Sequence, residues 1–522
     1  MKETKKSMSV SDFKDTRNCE SYTNKRFAKQ WETIDWNKAN AYINRLQIRI
    51  VKAVNKKKFS TVKRLQYLIT HSFYGKAFAI KRVTSNKGKN SPGVDGVVWR
   101  TPSEKMKAIF ILESKRYRAS PLKRVYIEKY GKTEKRPLSI PTIKDRAMQA
   151  LYLLALEPIA ETSADVISFG FRKYRSAHDA QRHIHNLLAQ KRSPQWIIEG
   201  DIKSCFDQIS HEWMIENIPM DKNILNNFLK AGYLYKGKLF PTTEGAAQGG
   251  VISPTIANMV LDGMEDAIAK EFWPSKKGRK ETKDTHRNGV NVVRFADDFI
   301  VTSYTKETAL EIIKVIEKFL GIRGLKLSIT KTKVTTIQQG FDFLGWNFRK
   351  YSGKLIVKPS AKSISKLVDS LSQVVIKDGK GSTQSQLIRR LNQIIRGWTN
   401  YHQSVCSKQT FGKIDWILWQ MLYHWAKRRH RNKSKSWIVQ KYWHKIGTRN
   451  WVFKEENIVL VMASDTSIVR HIPLKLDINP ILNENYFIQR KLKQHNIRRS
   501  AQSKTTVVQM QVLDNKCLSG IQ

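Results

Sequence analysis

Ten residues, Val292 to Val301 (VVRFADDFIV), constrain this chain more than any other stretch. Two apolar, β-forming runs flank Ala296-Asp297-Asp298, so the spacing predicts a tight hairpin with both carboxylates at its tip. Adjacent acids at the end of a buried strand repel each other and cost stability unless a cation neutralises them. A second apolar run, Trp196 to Ile198, leads into Gly200-Asp201-Ile202-Lys203-Ser204-Cys205-Phe206-Asp207. If the two strands pair, facing side chains lie about 5 Å apart, and Asp201 and Asp297 could share metal ions. A lone Asp-Asp pair is more often a surface turn, but here both flanks are apolar. Hard oxygen donors without His or Cys favour Mg2+ or Mn2+. Two such ions about 4 Å apart suit in-line phosphoryl transfer.

Charge narrows the partner. The 522 residues hold 94 Lys+Arg against 44 Asp+Glu, a net charge of +50. That excess points to a polyanion, either nucleic acid or an anionic membrane surface. With 40% hydrophobic and 10% aromatic residues, the chain can bury a core, and wholesale disorder is excluded. Its length suggests about three domains. The longest apolar stretch, Ala147 to Leu156, is about half of what spans a bilayer. The first residues, MKETKKSMSVSDF, lack an apolar secretion core, and their acids count against a mitochondrial presequence. Cys19, Cys205, Cys406 and Cys517 stand far apart, so neither a disulfide framework nor a cysteine zinc site is expected. The expectation is an intracellular protein, in a bacterial cytoplasm or an organelle, that binds nucleic acid and no membrane.

Along the chain, residues 1–30 are polar and basic and read as a flexible arm. From Trp36 to Phe78 the comb Ile43, Leu46, Ile50, then Leu65, Leu68, Ile69 predicts two basic amphipathic helices. Asn86 to Gly96 (NKGKNSPGVDG) is a loop, and Pro274 to Asn288 reads as a charged surface loop. Between about 120 and 350, short β-runs alternate with helical stretches, the pattern of an α+β domain. Beyond it, Leu387, Leu391, Ile394, Ile395 and Trp398 form one helical stripe; Ile414, Ile417, Leu418, Met421, Leu422 and Trp425 form another. Arg389, Arg390 and Arg396 lie on the opposite face of the first. Lys427, Arg428, Arg429 and Arg431 begin a dense cationic run directly after the second. Cations interleaved with aromatics suit phosphate contact plus base stacking.

Several of these stretches, in this order, resemble the reverse transcriptases encoded by group II introns. Phe295-Ala296-Asp297-Asp298 is similar to their Tyr-x-Asp-Asp box, with Phe in place of Tyr, and Asp201 to Asp207 to their first metal-binding motif. Gln248-Gly249-Gly250-Val251-Ile252-Ser253-Pro254 resembles the primer–template motif. Arg136-Pro137-Leu138-Ser139-Ile140-Pro141 and Phe169-Gly170-Phe171-Arg172 look like fingers motifs, and Phe343-Leu344-Gly345-Trp346 like the primer grip. Ile395-Arg396-Gly397-Trp398 with Asn400-Tyr401 resembles the maturase, or thumb, domain; Ser436-Trp437 and Arg449-Asn450-Trp451 look like the segment beyond it.

The resemblance implies a right-hand polymerase with fingers and an antiparallel palm sheet, followed by a helical thumb/maturase domain. The implied division is an arm (1–30), a helical extension of the fingers (31–90), fingers and palm (91–355), thumb (361–450), and a basic DNA-binding-like segment (451–522). It implies RNA-directed DNA synthesis with an intron RNA template, a DNA primer or target and dNTPs, together with help in intron splicing and mobility. Asp201, Asp297 and Asp298 would be the catalytic carboxylates and, with Ile202, hold two Mg2+ ions (or Mn2+). Lys123, Arg124, Arg136, Phe206, Gln248 and Lys331 would meet the nucleotide, Phe206 as a steric gate against a 2′-hydroxyl. Arg389, Arg390, Arg396, Lys427, Arg428, Arg429 and Arg431 would hold RNA or DNA. Many relatives carry a C-terminal His-Asn-His endonuclease with paired Cys-x-x-Cys motifs; a lone Cys517 predicts neither zinc nor that domain. A splicing-only maturase with an idle polymerase site, and a reverse transcriptase serving defence, stay open as alternatives, as do monomer and homodimer.

Overall fold

The computed structural model describes residues 23–128, 130–131, 134–273 and 289–517, with side chains as far as 502. The segment 274–288, read above as a surface loop, lies outside the described residues, as does most of the arm. A helix covers 23–32, so residues 23–30 are ordered rather than arm-like. Phe27 of that helix packs against Phe110, 5.9 Å between ring centres.

Three helices, not two, follow: Trp36–Asn55, Phe59–His71 and Phe73–Ser85. The extra break is at Ser72, whose backbone is extended and whose hydroxyl accepts the N–H of Gly75 at 2.9 Å. That cap ends one amphipathic run and begins another within a single apolar comb. Ile43, Leu46, Ile50, Leu65 and Ile69 are buried as the pattern predicts, against Ala155 and Ile159 of the helix Ile143–Ser163. The loop 86–96 is pinned by Arg146, which donates to the carbonyls of Gly88 and Ser91 at 2.9 and 2.7 Å.

The strands, in order, are β1 (Leu122–Glu128), β2 (Lys135–Ile140), β3 (Trp196–Asp201), β4 (Tyr233–Tyr235), β5 (Lys238–Phe240), β6 (Asn291–Phe295) and β7 (Asp298–Ser303). They continue as β8 (Lys333–Thr336), β9 (Phe341–Phe343), β10 (Trp346–Tyr351), β11 (Lys354–Pro359), β12 (Trp443–Ile446), β13 (Arg449–Glu455) and β14 (Ile458–Val459). The order β2-β1-β4-β5 forms the fingers sheet, and β6-β7-β3-β8, antiparallel throughout, forms the palm. Ile197, Ile198, Val292, Val293, Ile300 and Val301 are all buried in the palm core. The fold is therefore α+β with an antiparallel palm sheet and a helical region after it.

That helical region has its own core. Leu387, Leu391 and Ile395 of helix Gln384–His402 pack with Ile414, Leu418, Leu422 and Trp425 of helix Lys408–Arg429. The hairpin β9–β10 joins it to the palm: Leu344 and Gly345, at φ +50° and +85°, make its turn. The Leu344 carbonyl accepts the Tyr401 hydroxyl at 2.8 Å, while Tyr401 stacks on the buried Trp346 at 4.6 Å. Past β14 the chain returns to the palm. Tyr174 donates to Glu484 at 2.6 Å, and both His471, at 2.9 Å, and Arg490 meet the buried Asp179.

Candidate active site and nucleic-acid interface

The palm pairing decides where the carboxylates go. β3 runs antiparallel to β7 from Trp196 opposite Ser303 to Asp201 opposite Asp298. β6 and β7 close with Phe295 opposite Asp298, leaving Ala296 and Asp297 as a two-residue turn. Asp297 alone is thus at the tip; Asp298 begins a strand, and it is Asp298 rather than Asp297 that stands directly across from Asp201. Ala296 takes φ +58°, a conformation glycine usually supplies in such turns. Gly170 presses against it so closely that a Cβ there would lie 2.3 Å from the Ala296 nitrogen.

Arg294 braces the same turn from beneath, and the sequence reading passed over it. Its guanidinium is buried, paired with Asp262 and 3.9 Å from Asp165. It also donates to Asn258 Oδ1 at 3.3 Å, and Asn258 donates to the Gly170 carbonyl at 2.7 Å. The signal was visible: one cation inside an otherwise apolar strand, which needs buried acids to balance it.

The three carboxylates feel one another. Desolvation, then the charge of Asp201, holds Asp297 above the ordinary carboxylate range; the Arg136 and Lys331 charges oppose this. Desolvation, then Asp297 and Asp201, pushes Asp298 up to about 6. The Asp298 side chain still reaches solvent, so water relieves part of its desolvation while the neighbouring like charges act undiminished on it. Lys331 Nζ lies 2.5 Å from Asp201 Oδ2. Among the described residues no three His, Cys, Asp or Glu side chains converge as a formed metal cage would. The donors nevertheless fit a hard divalent cation: they are all carboxylate oxygens whose repulsion a cation would relieve. Cys205 is buried beside them, contrary to the expectation of a site without cysteine. Burial and the nearby Asp297 push its thiol up to about 12, so it stays neutral. The Ile202 side chain is buried and its backbone forms a β-bridge with Leu327, so the carbonyl is the one Ile202 group with the chemistry to hold an ion.

The other nucleotide candidates divide. Lys123 pairs with Ile140 and Ile127 with Arg136 across β1–β2. Strand alternation therefore puts Lys123 and Arg136 on one face and Arg124 on the other. Arg124 lies 3.9 Å over the Tyr233 ring on that other face. Phe206 is half-buried and lines a crevice with Asp297, Phe171 and Ala296. The Gln248 carbonyl accepts the Ser139 N–H at 2.8 Å, fixing the Gly249 loop (φ +119°) beside β2.

Sequence comparisons agree with this layout. Residues 31–112 match the N-terminal domain of reverse transcriptase, and 127–348 match reverse transcriptase (RNA-dependent DNA polymerase). Residues 364–443 match the group II intron maturase-specific domain. Protein YkfC of Escherichia coli K12 is 31% identical over 318 residues, covering 54% of this chain and 82% of that protein. The chain belongs to the group II intron reverse transcriptase/maturase family. The group II intron-encoded protein LtrA of Lactococcus lactis subsp. cremoris is 27% identical over 443 residues, 69% of this chain and 72% of its own. A solved telomerase from Candida albicans, in complex with a fragment of telomeric RNA, aligns at a TM-score of 0.34 and 13% identity. That alignment covers 63% of this chain and 65% of the telomerase, and is too loose to inform the fold.

In the maturase domain the candidate RNA-binding cations are not equivalent. Arg389 and Arg396 are exposed on helix Gln384–His402, whereas Arg390 is paired with Asp378 at 2.8 Å. Lys427, Arg428 and Arg431 line a groove with the exposed Trp416 and His424. Arg429 instead lies 4.4 Å over Trp425 and donates to the carbonyls of Ser382 and Lys380 at 2.6 and 3.2 Å. It fastens a loop to the helix. No helix among the described residues is long and apolar enough to cross a membrane.

Proposed function

We propose that this chain copies RNA into DNA at the β3–β7 carboxylates and grips intron RNA through its thumb, assisting splicing and mobility. The observation that carries the reading is the register that sets Asp201 against Asp298, with Asp297 in the adjoining turn, all three mutually repelling. Asp201, Asp297 and Asp298, with the Ile202 carbonyl, would hold two divalent ions, Mg2+ in preference to Mn2+. When bound, such ions activate the attacking primer oxygen and stabilise the leaving one.

The chain's own residues do the rest. Lys123 and Arg136 would neutralise the dNTP triphosphate, since such chemistry rests on charge stabilisation. Lys331, once released from Asp201, would be placed to give a proton to the leaving group. The Phe206 ring would lie under the sugar and exclude a 2′-hydroxyl, and Gln248 with Gly249 would meet the nascent pair. Residues 31–90 would extend the fingers, 91–355 form fingers and palm, 361–450 grip RNA, and 451–522 contribute to DNA binding. An idle polymerase site fits less well, because a cluster of repelling carboxylates is costly to keep without a use.

The test is extension of a DNA primer on an RNA template with Mg2+, wild type against Asp297→Asn. Wild type should extend and the variant should lose at least a hundredfold in rate. Equal extension by both, or extension by neither while RNA splicing is assisted, would end the polymerase reading.

A further inference from the structure

A cavity of about 530 Å3 opens on the thumb between helix Lys408–Arg429 and the sheet β12-β13-β14. Trp419, Trp443, Trp451 and Phe453 line it among aliphatic side chains. Trp419 stacks on Tyr423 at 5.6 Å and meets Trp443 at 6.0 Å and Trp451 at 6.1 Å. Core rings of this kind are ordinarily covered, yet Trp451 is 53% exposed.

The backbone explains how. β12 pairs His444 with Val452 and Ile446 with Arg449, so Asn450 and Trp451 together stand against Lys445 alone. This is a bulge, and Trp451 occupies its left-handed position at φ +64°, where a bulky residue is an outlier and glycine is the usual choice. Strain of this kind persists where something over-determines it, and it gathers at binding sites.

Polar groups sit at the rim. Arg449 forms a two-pronged pair with Asp465 at 2.7 and 2.5 Å, and Asp415 accepts the N–H groups of Ala463 and Ser464. Arg396, from the helix Gln384–His402, completes the lining. A bare phosphate site would not carry two carboxylates. A nucleobase, whose amino groups donate to carboxylates and whose face stacks on indole, suits this mixture, with Arg396 at the adjoining phosphate.

We propose that this cavity receives an unpaired, amino-bearing nucleobase of single-stranded RNA, its ring on Trp451, its edge toward Asp415 and Asp465, and its phosphate at Arg396. The assignment of RNA rests on the maturase reading of the thumb and adds to it a defined base-binding site that shares no lining residue with the polymerase centre.

The experiment uses the full chain and a 12-nucleotide oligo(A) RNA carrying a central 2-aminopurine, whose fluorescence is quenched by stacking. Trp451→Gly is the informative variant, because glycine accepts the bulge conformation while removing the ring. It should melt no lower than wild type, weaken binding about tenfold and abolish the quench, with Trp451→Phe intermediate. Arg396→Gln should weaken binding and lower the salt slope by about one while keeping the quench. Asp297→Asn should leave the quench intact, so loss of the polymerase reading and loss of this one are told apart. An unchanged quench in Trp451→Gly would overturn the proposal. So would a large drop in its melting temperature, which would mark Trp451 as core. Equal affinity for the matching DNA oligomer would overturn the assignment to RNA.

Discussion

Gly200 stands directly opposite Phe299, and a methyl group there would lie 2.1 Å from the ring's Cζ. Phe299 is buried and cannot swing away, so Gly200→Ala has to push β3 and β7 apart at the pair adjoining Asp201 and Asp298. Overpacking of this kind costs about 1–3 kcal/mol, and misplacement of catalytic groups by an ångström costs about a hundredfold in rate. Thermal melts and primer extension should show both losses; full activity in a destabilised variant would mean that the carboxylates do not depend on this contact. Asp298 gives a second readout. Its pKa is raised to about 6, so the folded protein binds a proton there that the unfolded chain has already released. Without metal, stability contributed by that proton is present below about pH 4 and is lost as pH rises through about 6. Asp298→Asn should therefore raise the metal-free melting temperature at pH 7.5 and change it little at pH 4. Divalent ions bind the deprotonated form, so wild-type extension should decline as pH drops through about 6.

At the scale of elements, the connection that carries Gly170 to the Ala296 turn depends on a buried ion pair. Arg172 and Glu161 meet at 2.8 Å with both side chains 5% exposed, and Arg172 also donates to the carbonyls of Asp165 and Ser168. Arg172→Met removes the cation bonded to the buried Glu161 and should cost about 3–5 kcal/mol, much of it recovered in the double variant with Glu161→Gln; denaturant unfolding of the three proteins checks this. The two palm strands were legible in sequence because apolar runs bounded by Gly and Asp have few other uses. The exact register was not: shifting β7 by one residue exchanges Asp297 and Asp298, and only the turn geometry at Ala296 chooses between them. The break at Ser72 was hidden for a related reason, since an apolar comb continues across a cap that a single hydroxyl makes. Arg124 and Lys123 looked equivalent because adjacency in sequence conceals that neighbours in a strand face opposite ways.

Across the whole molecule, +50 of net charge promises steep salt dependence, but not every cation can contribute to it. The thumb hangs from the palm through Tyr401, bonded to Leu344 and stacked on Trp346, and it presents the Lys427, Arg428 and Arg431 groove to solvent. Sequence alone gives these residues and Arg429 the same standing, since a cationic run does not say which side chain is occupied by a nearby carbonyl. Structure separates them. Each phosphate contact releases counterions, so Arg428→Gln with Arg431→Gln should lower the slope of log affinity against log salt by about two while the melting temperature holds. Arg429→Gln should do the converse, removing about 1 kcal/mol of stability through the Lys380–Ser382 loop and leaving the slope nearly unchanged. Filter binding of an intron RNA between 50 and 500 mM salt (roughly the range over which counterion release is readable), beside thermal melts, distinguishes the two. Equal slope changes in both variants would mean that the thumb binds RNA as a diffuse charge rather than through a built groove.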